Sequence, residues 1–257
     1  MNRSFFQNRI ILVTGVSSGI GKAVAEALLG HGAVVAGMSR RKAILSSKDA
    51  QNNYIHFQGD VSRASDCSRF VKFSFSRYHR IDGIIHCAGV GMRSRFLDMD
   101  NKLFRRIFET NFFSMVYLFR DAASHLEKSH GFVAVISSVQ SEIALPNRSS
   151  YGASKRALNG LIESLRIEHP GIHFLTVNAG YVDTNFSQNA IGKSGDNRGG
   201  RIKKGLAPKD VAQNILDALS QKKEKITPAG YFEKMAFFLS RFAPFLIKKM
   251  ARKYGKN

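Results

Sequence analysis

Tyr151 and Lys155 stand four residues apart in Tyr151-Gly-Ala-Ser-Lys155, so on a helix their side chains share one face. An ammonium beside a phenol favours the phenolate, which lowers the tyrosine pKa and allows proton exchange near neutral pH. A tyrosine and a lysine at this spacing also occur on ordinary solvated helices, so the pair acquires meaning only in company. Ser137-Ser138 lies just upstream at the end of a β-branched run, with ample chain between Ser138 and Tyr151 to leave a strand and enter a helix. Near the N-terminus, Thr14-Gly15-Val-Ser17-Ser18-Gly19-Ile20-Gly21 closes an apolar run and opens a helical pattern. Glycines there permit a tight turn and let the backbone approach a pyrophosphate held on free N–H groups at the helix start.

Short β-branched runs alternate with longer helical patterns throughout. Residues 9–13, 33–38, 54–58, 83–87, 132–136 and 172–178 read as strands, and 20–29, 64–78, 102–127, 151–169 and 208–220 as helices. That alternation predicts an α/β fold: a single-domain, Rossmann-type, doubly wound parallel sheet with helices on both faces. The second strand ends in Ser39-Arg40-Arg41, where an acid would grip a ribose 2′-hydroxyl; a hydroxyl and guanidiniums suit a 2′-phosphate instead. NADP(H) is therefore the expected cofactor, with NAD(H) possible. Asp60-Val61 ends the third strand, where a carboxylate can accept from an adenine amino group, and Cys87-Ala88-Gly89 follows the fourth as a small-residue shelf for a ribose.

Together these residues resemble the short-chain dehydrogenase/reductase family. The resemblance runs over residues 8–186 and rests on Thr14-Gly15-x3-Gly19-Ile20-Gly21, Asp60, Ala88-Gly89, Asn111, Ser138 and Tyr151-x3-Lys155. It implies that Tyr151 is the general acid or base and that Lys155 lowers its pKa and binds the nicotinamide ribose. It further implies that Ser138 donates to the substrate oxygen, and that Asn111, in helix 102–127, holds a water linking Lys155 to solvent. Gly180, Val182 and Thr184 would add cofactor contacts. The chain departs from the family's pattern at His86-Cys87, where two asparagines are usual, and at Ala179-Gly180, where Pro-Gly is usual. Its glycine loop also lacks the basic residue of many NADP-preferring members. The activity implied is carbonyl–alcohol interconversion, in dimers or tetramers built through helices 102–127 and 151–169.

Residues 1–230 are expected to form the catalytic domain, including a polar, glycine-bearing substrate lid at 185–207 with Phe186 and Ile191 as apolar contacts; 231–257 form a basic, aromatic tail. In the tail, Phe232, Met235, Phe238, Phe242 and Phe245 interleave with Lys234, Arg241, Lys248 and Lys249, and Pro244 should divide any helix. This suits an interfacial anchor on an anionic membrane, or equally a helix packed on the fold, and points to an apolar, lipid-like substrate. The net charge of +20 attracts anions of any kind. It leaves room for an alternative, a dinucleotide-sensing or nucleic-acid-binding regulator, although no nucleic-acid-binding motif stands out. Two cysteines, Cys67 and Cys87, suggest a reducing, cytoplasmic compartment, and no metal-type spacing occurs. Residues 1–8 are too short and polar for a signal peptide, and no apolar run approaches the roughly 20 residues of a membrane span.

Overall fold

The computed structural model describes residues 3–46, 50–192, 205–243, 245–247, 249 and 251. Strand β1 (Ile10–Thr14) leads into α1 (Gly19–Gly30), β2 (Val34–Ser39), a short α2 (Ala50–Asn53), β3 (Tyr54–Gln58) and α3 (Ala64–Tyr78). After β4 (Gly83–His86) come α4 (Asn101–Phe108), α5 (Ser114–Ser129), β5 (Phe132–Ser138) and α6 (Ser149–Glu168). The chain then forms β6 (His173–Ala179), α7 (Pro208–Ser220), β7 (Lys225–Ile226) and α8 (Tyr231–Phe242). The strands make one parallel sheet in the order β3-β2-β1-β4-β5-β6-β7. Chain direction across the sheet reverses between β1 and β4, and in doubly wound folds the crevice beyond the strand ends at that point takes the ligand.

Every residue of β1 and β5 is buried, as a sheet covered on both faces requires. Alternate residues feed two cores. Ile11, Val13, Val35 and Ile85 pack with α1 and α7, while Leu12, Ala36, Ile84 and Val133 pack with α3, α5 and α6. The expected α/β architecture is what forms. Two details differ from the sequence pattern. A seventh strand, only two residues long, extends the sheet beyond β6. The helix expected over 102–127 is divided by a π-helical turn, Glu109–Phe113, between α4 and α5. Such turns occur frequently at functional sites, and this one carries Asn111. A polar chain ties it to β4: Ser114 Oγ donates to Thr110 O at 2.7 Å, and His86 Nε2 lies 2.7 Å from Ser114 Oγ.

Candidate active site

At the reversal point lies a cleft of about 590 Å³. Its floor is the β1–α1 turn. Gly15 and Gly19 hold φ of +75° and +56°, in the left-handed region that favours glycine. Gly15 N donates to Met38 O at 2.8 Å and Ala88 N to Thr14 Oγ1 at 3.1 Å, so the turn is tied to both neighbouring strands. A Cβ on Gly21 would collide with the Gly15 carbonyl, and Ser18 gives α1 no side-chain cap. The result is a bare-backbone cradle at a helix start, which fits a dinucleotide pyrophosphate.

All but one of the expected site residues line this cleft. They are Gly15, Ser17, Ser18, Gly19, Ile20 and Gly21 on the floor, Ser39, Arg40, Arg41, Asp60 and Val61 at one end, and Cys87, Ala88 and Gly89 beyond β4. Ser138, Tyr151, Lys155, Gly180, Val182 and Thr184 form the other end. Asp60 Oδ1 accepts from Ser62 N and Oγ at 3.0 and 2.8 Å, so Oδ2 is the oxygen that can serve an amino group.

The exception is Asn111, which is buried behind the wall. Its Oδ1 accepts from Val90 N at 2.8 Å, and its Nδ2 donates to Val90 O at 3.0 Å and to Ser154 Oγ at 3.1 Å. The side chain thereby stitches the π turn to α6 and to the segment after β4. A Cβ on Gly89 would stand 3.4 Å from Asn111 Oδ1 and 3.5 Å from Lys155 Nζ, so the three residues converge on one spot.

Ser138 ends β5, and Tyr151 and Lys155 occupy successive turns of α6. Ser138 Oγ accepts from Gln140 N at 3.2 Å, which leaves its proton for the hydrogen bond to Tyr151. Burial pushes the Tyr151 phenol up, against the opposing pull of the Ser138 hydrogen bond and the nearby Arg148 guanidinium. This direction is opposite to the one expected from the Tyr–Lys spacing alone. The reason is geometric: Lys155 Nζ donates to Ile136 O at 2.7 Å and stays 6.0 Å from the Tyr151 ring centre. Burial also lowers the ammonium itself, from 10.5 to about 8, with Cys87 opposing. That depression corresponds to roughly 3 kcal/mol against charging Lys155 at this site. Anionic groups brought in by a ligand would offset it.

His86, one of the two departures at the end of β4, is fully buried and held by burial and by Lys155 down to about 3, so it is a neutral imidazole. Cys87 beside it has its thiol pushed up to about 12 by burial. Among the described residues no group of three or more His, Cys, Asp or Glu could hold a metal.

Arg148 and Glu233 of the same cleft carried no signal in the sequence, whereas Phe186 and Ile191, named there as apolar contacts, also line it. Arg148 precedes Tyr151 by one helical turn and donates to Met92 O at 2.6 Å. Glu233 reaches in from α8, accepting from Tyr181 N at 3.0 Å and Gly230 N at 2.9 Å. Phe186 lies 5.9 Å from Tyr151, ring centre to ring centre, and buried Ile191 pairs with the Gly91–Arg93 stretch through backbone bonds. Lys193, Arg198, Arg201, Lys203 and Lys204, in the segment expected to form a substrate lid, fall outside the described residues.

Comparison with known proteins follows the same lines. Residues 9–194 match the family model for short chain dehydrogenase. The chain is 32% identical over 263 residues to dehydrogenase/reductase SDR family member 7B of Danio rerio, covering 95% of this chain and 84% of that one. It is also 32% identical over 188 residues to 11-beta-hydroxysteroid dehydrogenase 1A of Arabidopsis thaliana, covering 70% of this chain and 54% of that one. Among solved structures, a short chain dehydrogenase from Burkholderia cenocepacia in complex with NADP superposes with a TM-score of 0.81 at 23% identity, covering 96% of this chain and 98% of that one. An alcohol dehydrogenase from Thermococcus sibiricus complexed with 5-hydroxy-NADP gives 0.75 at 24%, covering 88% and 98%.

Proposed function

We propose a reaction from the premise that this chain belongs to the short chain dehydrogenase family. It is an oxidoreductase that interconverts a carbonyl and an alcohol with a nicotinamide dinucleotide. The finer proposal is NADP(H) as the preferred cofactor and an apolar, lipid-like substrate. The observation that carries it is the meeting of Ser138, Tyr151 and Lys155 at one end of a cleft whose floor is a bare glycine turn and whose far end carries Ser39, Arg40 and Arg41.

When bound, the dinucleotide supplies or accepts the hydride. Gly15 to Gly21 hold its pyrophosphate, Asp60 and Val61 its adenine, and Arg40 and Arg41 a 2′-phosphate, on a turn whose carbonyl Ser39 Oγ secures. Ser138 donates to the substrate oxygen, polarising it where charge develops. Tyr151 gives its proton to that oxygen in reduction and takes it back in oxidation. Its raised pKa keeps the phenol protonated at neutral pH, as an acid must be. Lys155 holds the ribose and, once anionic groups surround it, is charged and pulls Tyr151 downward. Asn111 Nδ2 has both protons engaged and Oδ1 already accepts from Val90 N, so we read its side chain as positioning, with a water linking Lys155 to solvent resting on the main chain of the π turn.

The cofactor reading is tested by fluorescence titration. NADPH should bind roughly 10- to 100-fold more tightly than NADH, the worth of one or two charged hydrogen bonds to the 2′-phosphate. An Arg40→Ala, Arg41→Ala double variant should erase the difference by weakening NADPH alone. Equal binding of the two cofactors by the wild type would remove NADP(H) from the assignment.

The apolar-substrate reading draws on α8. Tyr231, Met235, Phe238 and Phe242 recur at helical spacing along one side and are all exposed, Phe238 by 65% and Phe242 by 68%. Lys234 and Lys249 are exposed nearby. Because Glu233 ties the start of α8 to Tyr181 at the cleft, this greasy face begins at the cleft's rim. An aromatic face among cations suits the surface of an anionic bilayer, from which a lipid-like ketone or aldehyde could enter. No helix among the described residues is long and apolar enough to cross a membrane. The full chain should pellet with phosphatidylserine vesicles, and Phe238→Asp with Phe242→Asp should abolish pelleting while sparing turnover of a water-soluble carbonyl. Pelleting that survives both substitutions would take α8 out of the proposal.

A further inference from the structure

Strand β3 is the edge of the sheet beyond β2, and it does more than close it. Its register sets His56 opposite Gly37 and Gln58 opposite Ser39. Ser39 Oγ lies 2.7 Å from Arg41 O and 3.0 Å from His56 Nε2. A hydroxyl has one proton and a carbonyl can only accept, so that proton goes to Arg41 O and His56 Nε2–H donates to Ser39. Gln58 Nε2 donates to Arg40 O at 3.1 Å, and Gly59 N donates to Ser39 O at 3.2 Å. Three successive carbonyls, those of Ser39, Arg40 and Arg41, are thus held from the β3 side. Gly59 and Gln58 hold two of them directly, and His56 secures the third through Ser39.

We propose that His56 is a positioning residue for the cofactor's 2′-phosphate and that its protonation is linked to phosphate binding. This deepens the NADP(H) reading and rests on it. A neutral imidazole has two tautomers, and only the one protonated at Nε2 preserves the chain His56–Ser39–Arg41. The other would draw the Ser39 proton to itself and release the Arg41 carbonyl. An imidazolium carries protons on both nitrogens, so it enforces the first arrangement. Charge on His56 and a preformed basic turn therefore go together.

In the protein without ligand, burial and then Lys42 hold His56 below its ordinary value, which keeps it neutral near pH 7.5. The other groups around it are Tyr54 and Gln58 on the same strand and Arg40 and Arg41 on the turn. Burial pushes the Tyr54 phenol up to about 12, so it stays uncharged throughout. A phosphate dianion at Ser39 supplies the missing negative charge one hydroxyl away, which favours the imidazolium. NADH brings no such charge. Selectivity for NADPH over NADH should therefore rise as pH falls from about 8.5 to about 6.5, until the phosphate's own ionisation near 6 opposes it.

The test is binding, independent of turnover: Kd for NADPH and for NADH by fluorescence, on the full chain, across that range. For the wild type the ratio of the two constants should shift toward NADPH by roughly five- to tenfold on acidification. His56→Gln keeps a donor for Ser39 without the charge, and its ratio should stay flat or fall slightly. His56→Leu removes donor and charge, and should weaken NADPH by about tenfold while leaving NADH unchanged. Parallel pH profiles for wild type and His56→Gln would overturn the linkage. Equal weakening of both cofactors by His56→Leu would reduce His56 to a strand residue. A wild type that prefers NADH at every pH sinks the cofactor reading itself, which the variants' profiles alone would not.

Discussion

Tyr151→Phe should lower the rate of carbonyl reduction by roughly 10²- to 10⁴-fold, the usual worth of a positioned general acid. NADPH affinity should stay within about twofold, since only the hydroxyl is removed. The ring is part of a small core with Met92, Leu103, Ile107 and Ile191, and Phe preserves that packing without leaving a cavity. The pH profile adds a signed check. Tyr151 is raised by burial, so in the free enzyme it keeps its proton beyond the ordinary tyrosine range. Lys155 is lowered to about 8, so it is charged below that value and neutral above it. Because kcat/KM for NADPH reports groups of the enzyme before the dinucleotide binds, it should fall as pH rises through about 8. Lys155→Met should remove that alkaline limb along with most of the activity. Substantial turnover by Tyr151→Phe, or an unchanged limb in Lys155→Met, would sink the roles given to these two residues.

The pair on α6 was legible because helical geometry is local. Four residues of spacing decide that Tyr151 and Lys155 share a face, whatever surrounds them. The glycine turn was legible because Gly15 and Gly19 hold left-handed backbone angles that glycine adopts most readily. What the sequence hid is tertiary. The direction of the Tyr151 shift depends on burial and on where Lys155 Nζ finds its acceptor, and Ile136 O lies on a different strand. Glu233 enters the cleft from a segment whose composition suits a membrane anchor and a packed helix equally, and so names no residue of the site. The π turn at Asn111 leaves the apolar periodicity on either side nearly intact, so the pattern reads as one helix. β7 is too short to carry any pattern at all.

His86 illustrates a departure that the fold absorbs. A histidine replacing a usual asparagine at a buried strand end would be costly if it stayed unpaired. Here it is neutral and its Nε2 donates to Ser114 Oγ, whose own proton already goes to Thr110 O, while its buried Nδ1 stays without a partner, so the cost is only partly met. The histidine therefore braces the π turn that holds Asn111. The same logic applies at β3, where His56 and Gln58 brace the turn that carries the arginines. In both places a residue outside the cleft braces a turn on which the site depends.

Gly21→Ala should disable both cofactors at once and destabilise the protein. Alanine is the better helix former by about 1 kcal/mol, so propensity alone predicts a gain in α1. The added Cβ, however, would run into the Gly15 carbonyl oxygen, with Gly15 C at 2.8 Å and Thr14 O at 3.0 Å. All three are backbone atoms of the strand end and turn, and none can swing aside as a side-chain tip could. Overpacking of this kind costs about 1–3 kcal/mol, which exceeds the propensity gain. At about 2–4 °C per kcal/mol for a chain of this size, Tm should drop by several degrees. To relieve the clash α1 must move off β1, carrying its first-turn N–H groups away from the pyrophosphate. NADPH and NADH should then weaken together, by about tenfold or more, unlike the selective losses expected at Arg40 and His56. Gly30 supplies the control at the other end of the same helix. A Cβ there meets nothing within 4 Å, so Gly30→Ala should leave both cofactors and Tm close to wild type. If the two substitutions behaved alike, the close approach of α1 to the turn would not be what binds the dinucleotide.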